Sequence, residues 1–331
     1  MKKFINAPDD VVREALAGMA AAHPDLRVDL ENQIVVRADA PRSGKVGLIS
    51  GGGSGHEPLH GGFVGAGMLD AAVPGLIFAS PTPFQIAAAS RAATGRGGVL
   101  HIVKNYTGDV LNFGIAAELL AADGIELETV LVDDDLATDG AADGAPGRRG
   151  TAAVVTVEKV CGAAADAGAP LGEVAALGRR VNAASRTLSF AFGGSTHPGE
   201  SEPSFVLPAG HVELGVGIHG ERGRSRDVTP AARELATAIV TPLVESLGLV
   251  RGAEVVAIVN DLGASPTAET YLVYRELHRL LAGSGISVVR RLVGSFVTAL
   301  DMRGCSVTLT VADDELVRLW DAPAHTPALR W

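Results

Sequence analysis

Three short polar segments contain the residue types that bind or transform small molecules. The first, residues 50–57, reads S-G-G-G-S-G-H-E, and P-L-H follows it. Such a glycine run suits a phosphate cradle, a site for a small neutral substrate, or a strand-to-helix turn without a ligand. Residues 56–60 also spell H-E-x-x-H, which is a zinc-site pattern when it lies on a helix. The residue types alone leave these interpretations open.

The spacing of the glycines and histidines weakens two of these interpretations. The dinucleotide pattern G-x-G-x-x-G fails because His56 or Pro58 occupies the third glycine position, and the Walker pattern fails because Val46 follows the only Gly-Lys pair. A zinc motif needs both histidines on one face of a regular helix. Here a glycine run precedes the motif, and Pro58 is tolerable only in a first helical turn. A site for a small neutral substrate and a strand-to-helix turn without a ligand stay open.

The second segment, residues 104–109, reads K-N-Y-T-G-D. Lys104 offers three hydrogen-bond donors on one charge, which suits a ligand with hydroxyl groups or negative charge. Asp109 stands at the start of the next predicted helix. It is either the N-cap, which contributes about 1 kcal/mol, or a catalytic base, and the local sequence leaves both open.

The third segment, residues 215–221, reads G-V-G-I-H-G-E and places His219 between glycines. Glycines let a ligand approach the backbone, and a neutral imidazole is a nucleophile that can add to a carbonyl. A surface-loop histidine is the alternative. A fourth polar run, Asp133–Asp135, is of the kind that can hold Mg²⁺, but solvated loop charge is the preferred interpretation.

The polar residues 50–57, 104–109 and 219–221 each follow a predicted strand, at 46–49, 99–103 and 211–218. Ligands in open α/β sheets bind at the carboxyl ends of strands, so we expect the segments to form one site. Further strands are predicted at 76–79, 127–132, 254–259, 286–293 and 305–311. Helices are predicted at 8–21, 85–93, 110–122, 151–167, 171–188, 230–247 and 267–282, with a short closing helix.

This alternation of strands and helices predicts an α/β protein with two domains. Each is expected to have an open, largely parallel or mixed sheet flanked by helices, and a length of 331 residues suits that number. The N-terminal domain, 1–185, would carry the glycine run and the Lys104–Asp109 segment. The C-terminal domain, 186–331, would carry His219.

The composition of the chain excludes several functional classes. A net charge of −10 opposes binding to nucleic acid or to an anionic membrane surface. Two cysteines, Cys161 and Cys305, cannot build a disulfide framework. The N-terminus lacks the apolar region of a signal peptide, and no apolar run approaches the ~18 residues of a membrane span. A soluble cytoplasmic protein is expected.

Six motifs together resemble the substrate-binding K subunit of dihydroxyacetone kinase, from about residue 10 to the C-terminus. They are S-G-G-G-S-G-H-E-P, A-S-P-T-P-x-Q-I, V-K-N-Y-T-G-D-V-L-N-F, V-D-D-D, R-R-G-T-A and G-I-H-G-E. The runs at 102–109 and 218–221 are the most specific. The resemblance implies a two-domain α/β subunit that forms a homodimer and takes part in phosphoryl transfer to an alcohol group.

The resemblance also implies roles for individual residues. The family binds its ketone covalently, as a hemiaminal, on a histidine that matches His219. This bond distinguishes dihydroxyacetone from glycerol, which has no carbonyl. Asp109 or His56 would then take the proton of the terminal hydroxyl as it attacks a phosphoryl group. The positions that match the family's substrate-binding residues are Gly53, Ser54, Gly55, His56, Lys104, Asp109 and His219.

The phosphoryl donor is expected on another chain. The family's nucleotide-binding module carries an Asp-rich Mg²⁺ motif of G-D-G-D-T-G type, and no such motif occurs before Trp331. This chain would therefore hold no cofactor and no metal. A separate L-type subunit would hold ATP–Mg²⁺, or an ADP recharged by the phosphoenolpyruvate-dependent phosphotransferase system.

Two alternatives stay open at the level of the sequence. Segments 192–199 and 221–226 are less typical of the family, and this leaves a longer ketose such as erythrulose as a candidate substrate. The arginines of 221–226 could contact the L-type partner or line the site. The family also includes relatives that bind the ketone and control transcription. Asp109 favours the enzyme, because a sensor needs the nucleophile but not the base.

Overall fold

The computed structural model describes residues 3–140 and 147–331. Its strands are β1 Leu26–Asp29, β2 Ile34–Arg37, β3 Gly47–Ser54, β4 Ala71–Ile77, β5 Val99–Lys104, β6 Leu127–Val132, β7 Ser185–Ala191, β8 His211–Leu214, β9 Ser225–Val228, β10 Glu254–Asp261, β11 Ser287–Gly294 and β12 Gly304–Val311. Its α-helices are α1 Val11–Ala22, α2 Pro83–Ala93, α3 Thr107–Ala122, α4 Ala153–Asp166, α5 Leu171–Ala183, α6 Ala232–Ser246, α7 Thr267–Gly283 and α8 Asp314–Trp320.

The first compact unit comprises the described residues of 3–132, 154–180 and 318–331. Its sheet has the strand order β1-β2-β4-β3-β5-β6. Strand β3 pairs in parallel with β4 and β5, β5 pairs in parallel with β6, and β1 and β2 form an antiparallel edge. The carboxyl ends of β3 and β5 therefore lie side by side.

Local sequence explains the elements of this unit that lead to the site. Strand β5 is buried along its whole length, as its apolar run predicts for a parallel strand covered on both faces. Helix α2 begins with Pro83 at its first position and a capping box, in which the Thr82 side chain accepts from the Gln85 backbone and the Gln85 side chain accepts from the Thr82 backbone.

The second compact unit comprises the described residues of 133–140, 147–153 and 181–317. Its sheet has the order β11-β10-β12-β7-β8-β9, and β10 with β11 is the parallel pair in an otherwise antiparallel arrangement. Buried Val255, Ala257 and Val259 alternate along β10 and pack with Leu277 of α7. Two six-stranded sheets, mixed in direction and flanked by helices, confirm the predicted α/β class.

The two units interleave along the chain, because 147–153 belongs to the second unit whereas 154–180 and 318–331 belong to the first. The sequence predicts a domain boundary between residues 185 and 186. That boundary refers to domains that fold independently, and it stays a prediction. Among the described residues, no helix combines the length and apolar character that a bilayer crossing requires.

Several predicted elements have different bounds in the structure. The helix predicted over 171–188 ends at Ala183, because the segment from Ser185 pairs with β12 as β7. The strand predicted over 211–218 ends at Leu214. The strand predicted over 76–79 is β4, whose beginning is obscured in the sequence by Pro74 and Gly75. The short strands β1, β2 and β9 were not predicted, since four residues carry little periodicity.

Candidate active site

The glycine run forms the end of β3 and not a loop, so the sequence prediction is wrong for residues 50–54. A Cβ atom added at Gly51 would lie 2.7 Å from the Val73 carbonyl oxygen, and one added at Gly53 would lie 2.6 Å from the Ala79 backbone nitrogen. Only glycine lets these backbones approach so closely. Close packing between neighbouring backbones therefore accounts for part of the glycine content.

The residues after Gly53 are held by local hydrogen bonds. Ser54 Oγ donates to the Gly75 carbonyl oxygen at 2.7 Å, and the Gly55 backbone N–H donates to the Glu57 carboxylate at 3.0 Å. Gly55 has a φ of 98°, a left-handed conformation that favours glycine. These contacts fix the backbone that leads to His56, and the predicted substrate contacts of Gly53, Ser54 and Gly55 stay predictions.

The H-E-x-x-H residues lie on turns. The segment 55–60 forms no α-helix, and the short 3₁₀ helix Gly61–Phe63 follows it, so the regular helix that a zinc motif needs is missing from this segment. The buried His56 ring stacks on Phe78, with ring centroids 4.9 Å apart. Within 3–140 and 147–331, no three His, Cys, Asp or Glu side chains are grouped so that they could hold a metal ion.

Lys104 and Asp109 meet beside β3, as the parallel pairing of β3 and β5 requires. Lys104 Nζ lies 3.4 Å from the Gly51 carbonyl oxygen. A Cβ atom added at Gly52 would lie 2.7 Å from Lys104 Nζ and 3.4 Å from Asp109 Oδ2. Gly52 thus lies against both polar groups. The first unit therefore brings together the glycine run and the Lys104–Asp109 segment, as predicted.

Asp109 is not the N-cap of its helix. Helix α3 begins at Thr107, its N-cap is Tyr106 without a side-chain cap bond, and Asp109 is its third residue. The Asp109 side chain is buried, and its Oδ1 atom has no hydrogen-bond partner in the described part of the chain. An unsatisfied buried acceptor costs about 1–3 kcal/mol, so a stability role does not explain this oxygen, whereas accepting a proton or hydrogen bond from a ligand does.

Lys104 also belongs to a buried chain of side chains that the sequence did not predict. Lys104 Nζ lies 2.7 Å from His60 Nε2, and His60 Nδ1 lies 2.7 Å from Glu158 Oε1 of α4. Ser50 Oγ lies 3.1 Å from His60 Nδ1 and donates to the Ile102 carbonyl oxygen at 2.8 Å. The second histidine of H-E-x-x-H is therefore a partner of Lys104 and not a metal ligand.

Burial dominates the electrostatics of this chain. Burial lowers the pKa of His60 well below its usual value, and the charge of Lys104 adds to that effect. Burial also lowers the pKa of Lys104, although the charges of Asp109 and Glu158 oppose the shift. Burial raises the pKa of Glu158 to about 8, against the opposing charge of Lys104. Desolvation thus favours the neutral form of each group.

His219 belongs to the second unit and lies on a turn, five residues after β8 ends. Its side chain is 20% exposed. The His219 backbone N–H donates to Glu221 Oε2 at 2.8 Å, and its Nδ1 lies 3.4 Å from Glu221 Oε1. A Cβ atom added at Gly217 would lie 2.0 Å from Glu221 Oε2, so that glycine makes room for the carboxylate.

The Glu221 carboxylate is ionised at neutral pH. Burial raises its pKa, but the hydrogen bond from His219 and the charges of His219 and Arg149 outweigh burial and lower the pKa to about 2. Arg149 is held in turn by Asp135 at 2.7 Å and by the Gly215 carbonyl oxygen at 3.0 Å. An ionised Glu221 favours the imidazole tautomer with its proton on Nδ1, which leaves a lone pair on Nε2.

The interpretation of the acidic run at 133–135 as solvated loop charge is wrong for Asp134 and Asp135, whereas Asp133 is partly exposed. Asp134 is fully buried and accepts hydrogen bonds from Thr151, Ala153 and the Thr187 hydroxyl. Buried Asp135 pairs with Arg149. These carboxylates are buried because each has donors that satisfy it.

The arginines of residues 221–226 have intramolecular partners. Arg222 and Arg226 both pair with the buried Glu213, at 2.8 Å and 3.4 Å, and Arg224 donates to the Asp139 carbonyl oxygen at 2.9 Å. The structure thus gives these cations a role within the second unit, and their suggested contact with a partner chain stays a prediction.

Comparison with known proteins places the chain in a family. A family model described as the Dak1 domain matches residues 17–328. The Escherichia coli (strain K12) protein named PEP-dependent dihydroxyacetone kinase, dihydroxyacetone-binding subunit DhaK, is 44% identical, and the alignment covers 100% of this chain and 99% of that protein. The kinase named in this comparison agrees with the predicted phosphotransferase family.

Solved structures extend this likeness. The native dihydroxyacetone kinase of C. freundii has a TM-score of 0.89 at 36% identity, and the match covers 99% of this chain and 60% of that one. A protein described as the dihydroxyacetone kinase operon co-activator Dha-DhaQ has a TM-score of 0.90 at 31% identity, with 96% and 97% coverage. The chain therefore belongs to the Dak1 domain family, and the predicted family is confirmed.

Proposed function

We propose that the chain is the dihydroxyacetone-binding subunit of a dihydroxyacetone kinase, a phosphotransferase with an alcohol group as acceptor. One observation carries the proposal: in a chain of this family, the buried Asp109 carboxylate lies beside the Lys104 ammonium, and its Oδ1 atom has no protein partner within the described residues. A donor and an acceptor with spare capacity suit a ligand with neighbouring hydroxyl groups.

His219 would bind the ketone covalently. Its Nε2 lone pair adds to the carbonyl carbon, the N–C bond forms, and the carbonyl π bond becomes a hydroxyl group. The proton that this oxygen gains is balanced by the one that Nδ1 gives up, and ionised Glu221 supports that transfer. The product is a neutral hemiaminal on His219. Glycerol, which lacks a carbonyl, cannot form it.

Phosphoryl transfer requires the terminal hydroxyl of the bound ketone to lose its proton. Asp109 and His56 are the candidate general bases. Asp109 has a carboxylate oxygen, Oδ1, without a hydrogen-bond partner among the described residues, and the His56 ring is buried against Phe78. Lys104 would orient the hydroxyl groups. The product would be dihydroxyacetone phosphate.

The phosphoryl donor would come from a separate L-type subunit, either as ATP–Mg²⁺ or through the phosphoenolpyruvate-dependent system. The name of the Escherichia coli relative, a PEP-dependent kinase with a separately named ketone-binding subunit, supports this arrangement. A homodimer in the cytoplasm is part of the same proposal. Neither the separate donor subunit nor the homodimer depends on a cofactor bound to this chain.

The proposal is tested by incubating the chain with dihydroxyacetone, erythrulose or glycerol and measuring its intact mass, followed by phosphorylation assays with an L-type partner and donor. We expect a mass increase equal to one ketone, no adduct with glycerol, and phosphorylation of the ketone that forms the adduct. A chain that forms no adduct with either ketone and supports no turnover contradicts the proposal.

A ketone-binding co-activator is the second candidate, because the co-activator structure matches this chain with a TM-score of 0.90. Such a protein needs the nucleophile but no general base. Adduct formation without phosphoryl transfer, in the presence of L-type partners that use either donor, would favour it over the kinase.

A further inference from the structure

Four buried side chains form one continuous hydrogen-bonded chain behind Lys104. They come from separate elements of the first unit: Ser50 from β3, His60 from the turn after it, Lys104 from β5 and Glu158 from α4. The links are 2.7 Å from Lys104 to His60 and 2.7 Å from His60 to Glu158. All four residues are at least nine-tenths buried.

When Lys104 is protonated, these contacts favour one arrangement of protons. Lys104 can only donate, so His60 Nε2 accepts, and His60 Nδ1 therefore carries the imidazole proton. That proton points at Glu158 Oε1 and also lies near Ser50 Oγ, which gives its own hydrogen to the Ile102 carbonyl oxygen. Glu158 Oε1 accepts from His60 in both the ionised and the protonated form of the carboxyl group.

At one end of this hydrogen-bonded series of side chains, an acceptor atom is left without a partner among the described residues. Glu158 Oε2 is buried and has no hydrogen-bond partner in the part of the chain that the structure describes. A carboxyl group placed only for stability would cost free energy there. At the other end, Lys104 Nζ lies next to Gly52, and Asp109 Oδ2 lies near the same position. These hydrogen bonds therefore connect the buried carboxyl group of Glu158 to the Lys104 ammonium, which faces Asp109.

The charged and titratable groups that face Lys104 come from three elements. They are Asp109 of α3, Glu158 of α4 and His60 of the turn after β3, and His56 of the same turn acts on His60. Burial raises the pKa of Glu158 to about 8. Glu158 is then neutral at neutral pH and gains its charge as the pH rises toward the range in which a buried lysine loses its proton.

We propose that His60 and Glu158 are positioning residues for the phosphorylation reaction, which act through the hydrogen bond to Lys104. His60 holds the ammonium toward Gly52 and Asp109, and Glu158 keeps it charged at alkaline pH. This rests on the proposed function insofar as Lys104 contacts the hydroxyl groups of the ketone. The electrostatic part concerns Lys104 itself and needs no ketone.

Lysine titration by NMR tests the electrostatic part. The chain has five lysines, so ¹³Cε labelling gives few signals, and a Lys104→Arg variant assigns the one of interest. In Glu158→Gln, which keeps an acceptor for His60 but cannot ionise, we expect the pKa of Lys104 to fall by about 1 unit or more. Glu173→Gln, an exposed carboxylate of α5, is the matched control and should leave the titration unchanged.

Kinetics with the L-type partner test the functional part. Glu158→Gln should lose activity above about pH 8, where the alkaline limb of the pH profile of kcat moves down by about 1 unit relative to wild type. His60→Gln keeps an acceptor near the Nε2 position, whereas His60→Asn does not. We therefore expect His60→Asn to lower kcat roughly tenfold or more and His60→Gln to retain more of it, with the His219 adduct unchanged in both.

Two outcomes would overturn the proposal. One is a Lys104 titration that is identical in wild type and Glu158→Gln. The other is an equal loss of kcat in His60→Asn and His60→Gln together with a normal pH profile in Glu158→Gln, which would mean that the chain is only structural. If the wild-type protein forms no adduct, the proposed function fails, but the lysine titration still decides the electrostatic inference.

Discussion

The polar groups of the first unit and the His219 turn of the second unit differ in their burial and in the elements that carry them. Asp109 and Lys104 are 4% and 1% exposed and stand on a helix and a strand. His219 is 20% exposed on a turn between glycines, beside an ionised Glu221. Burial lowers the pKa of Lys104 by desolvation, whereas partial exposure suits the nucleophile role that is proposed for His219.

The largest expected effect comes from removing the proposed nucleophile. His219→Ala should abolish the mass adduct with dihydroxyacetone and with it phosphoryl transfer, because it removes the imidazole whose Nδ1 lies 3.4 Å from the ionised Glu221 carboxylate. Intact-mass spectrometry measures the adduct. His211→Ala, a half-buried histidine at the start of β8, is the control and should keep it. A wild-type level of adduct in His219→Ala would remove the covalent role from this residue.

The second effect concerns Asp109, the proposed base in the first unit. Asp109→Asn should keep the adduct on His219 and lower kcat by about 10²–10⁴-fold, as for loss of a general base. Asp123→Asn, at the end of the same helix, is the control. If turnover survives in Asp109→Asn, His56 becomes the remaining candidate base, and His56→Gln tests it.

A smaller effect is expected from the glycine that the sequence did not single out. In Gly52→Ala, the new Cβ would lie 2.7 Å from Lys104 Nζ, so the ammonium must move. We expect kcat/KM to fall by roughly 10–100-fold, since displacements near 1 Å can cost that much. Gly114→Ala on α3 meets open space and serves as the control. Unchanged kinetics in Gly52→Ala would show that the position of Lys104 does not matter.

The smallest effect is expected at Glu221. Glu221→Gln removes the charge that favours the Nδ1-protonated tautomer, so the affinity for the ketone should fall by about tenfold, measured from adduct fraction against ketone concentration. The folded-state pKa of about 2 lies below the usual 4.5, so the stability that Glu221 contributes is present above pH 4.5 and is lost as the pH falls toward 2. Glu221→Gln should flatten this acid-induced loss of stability, whereas Glu245→Gln should not.

Much of the sheet framework could be predicted from the sequence because it depends on local patterns. The apolar run at 99–104 and the strand-helix alternation predicted β5, β6 and the helices beside them within a few residues. The glycine run was misread as a loop, since glycine signals a turn locally. Its actual reason, the close approach of Val73 and Ala79 backbones, depends on residues that are distant in sequence.

The candidate site could likewise be predicted only in part from the sequence. Sequence motifs by themselves identified the Dak1 domain family and singled out Lys104, Asp109, His56 and His219, because these residue types stand in specific local runs. Only the tertiary structure decided that Asp109 is a buried acceptor and not a helix cap, and that His60 serves Lys104 and not a metal. Only the tertiary structure also linked Glu158 to the site, since that carboxyl group lies about a hundred residues from His60 in an alanine- and valine-rich helix and acquires its pKa from the desolvation that packing imposes.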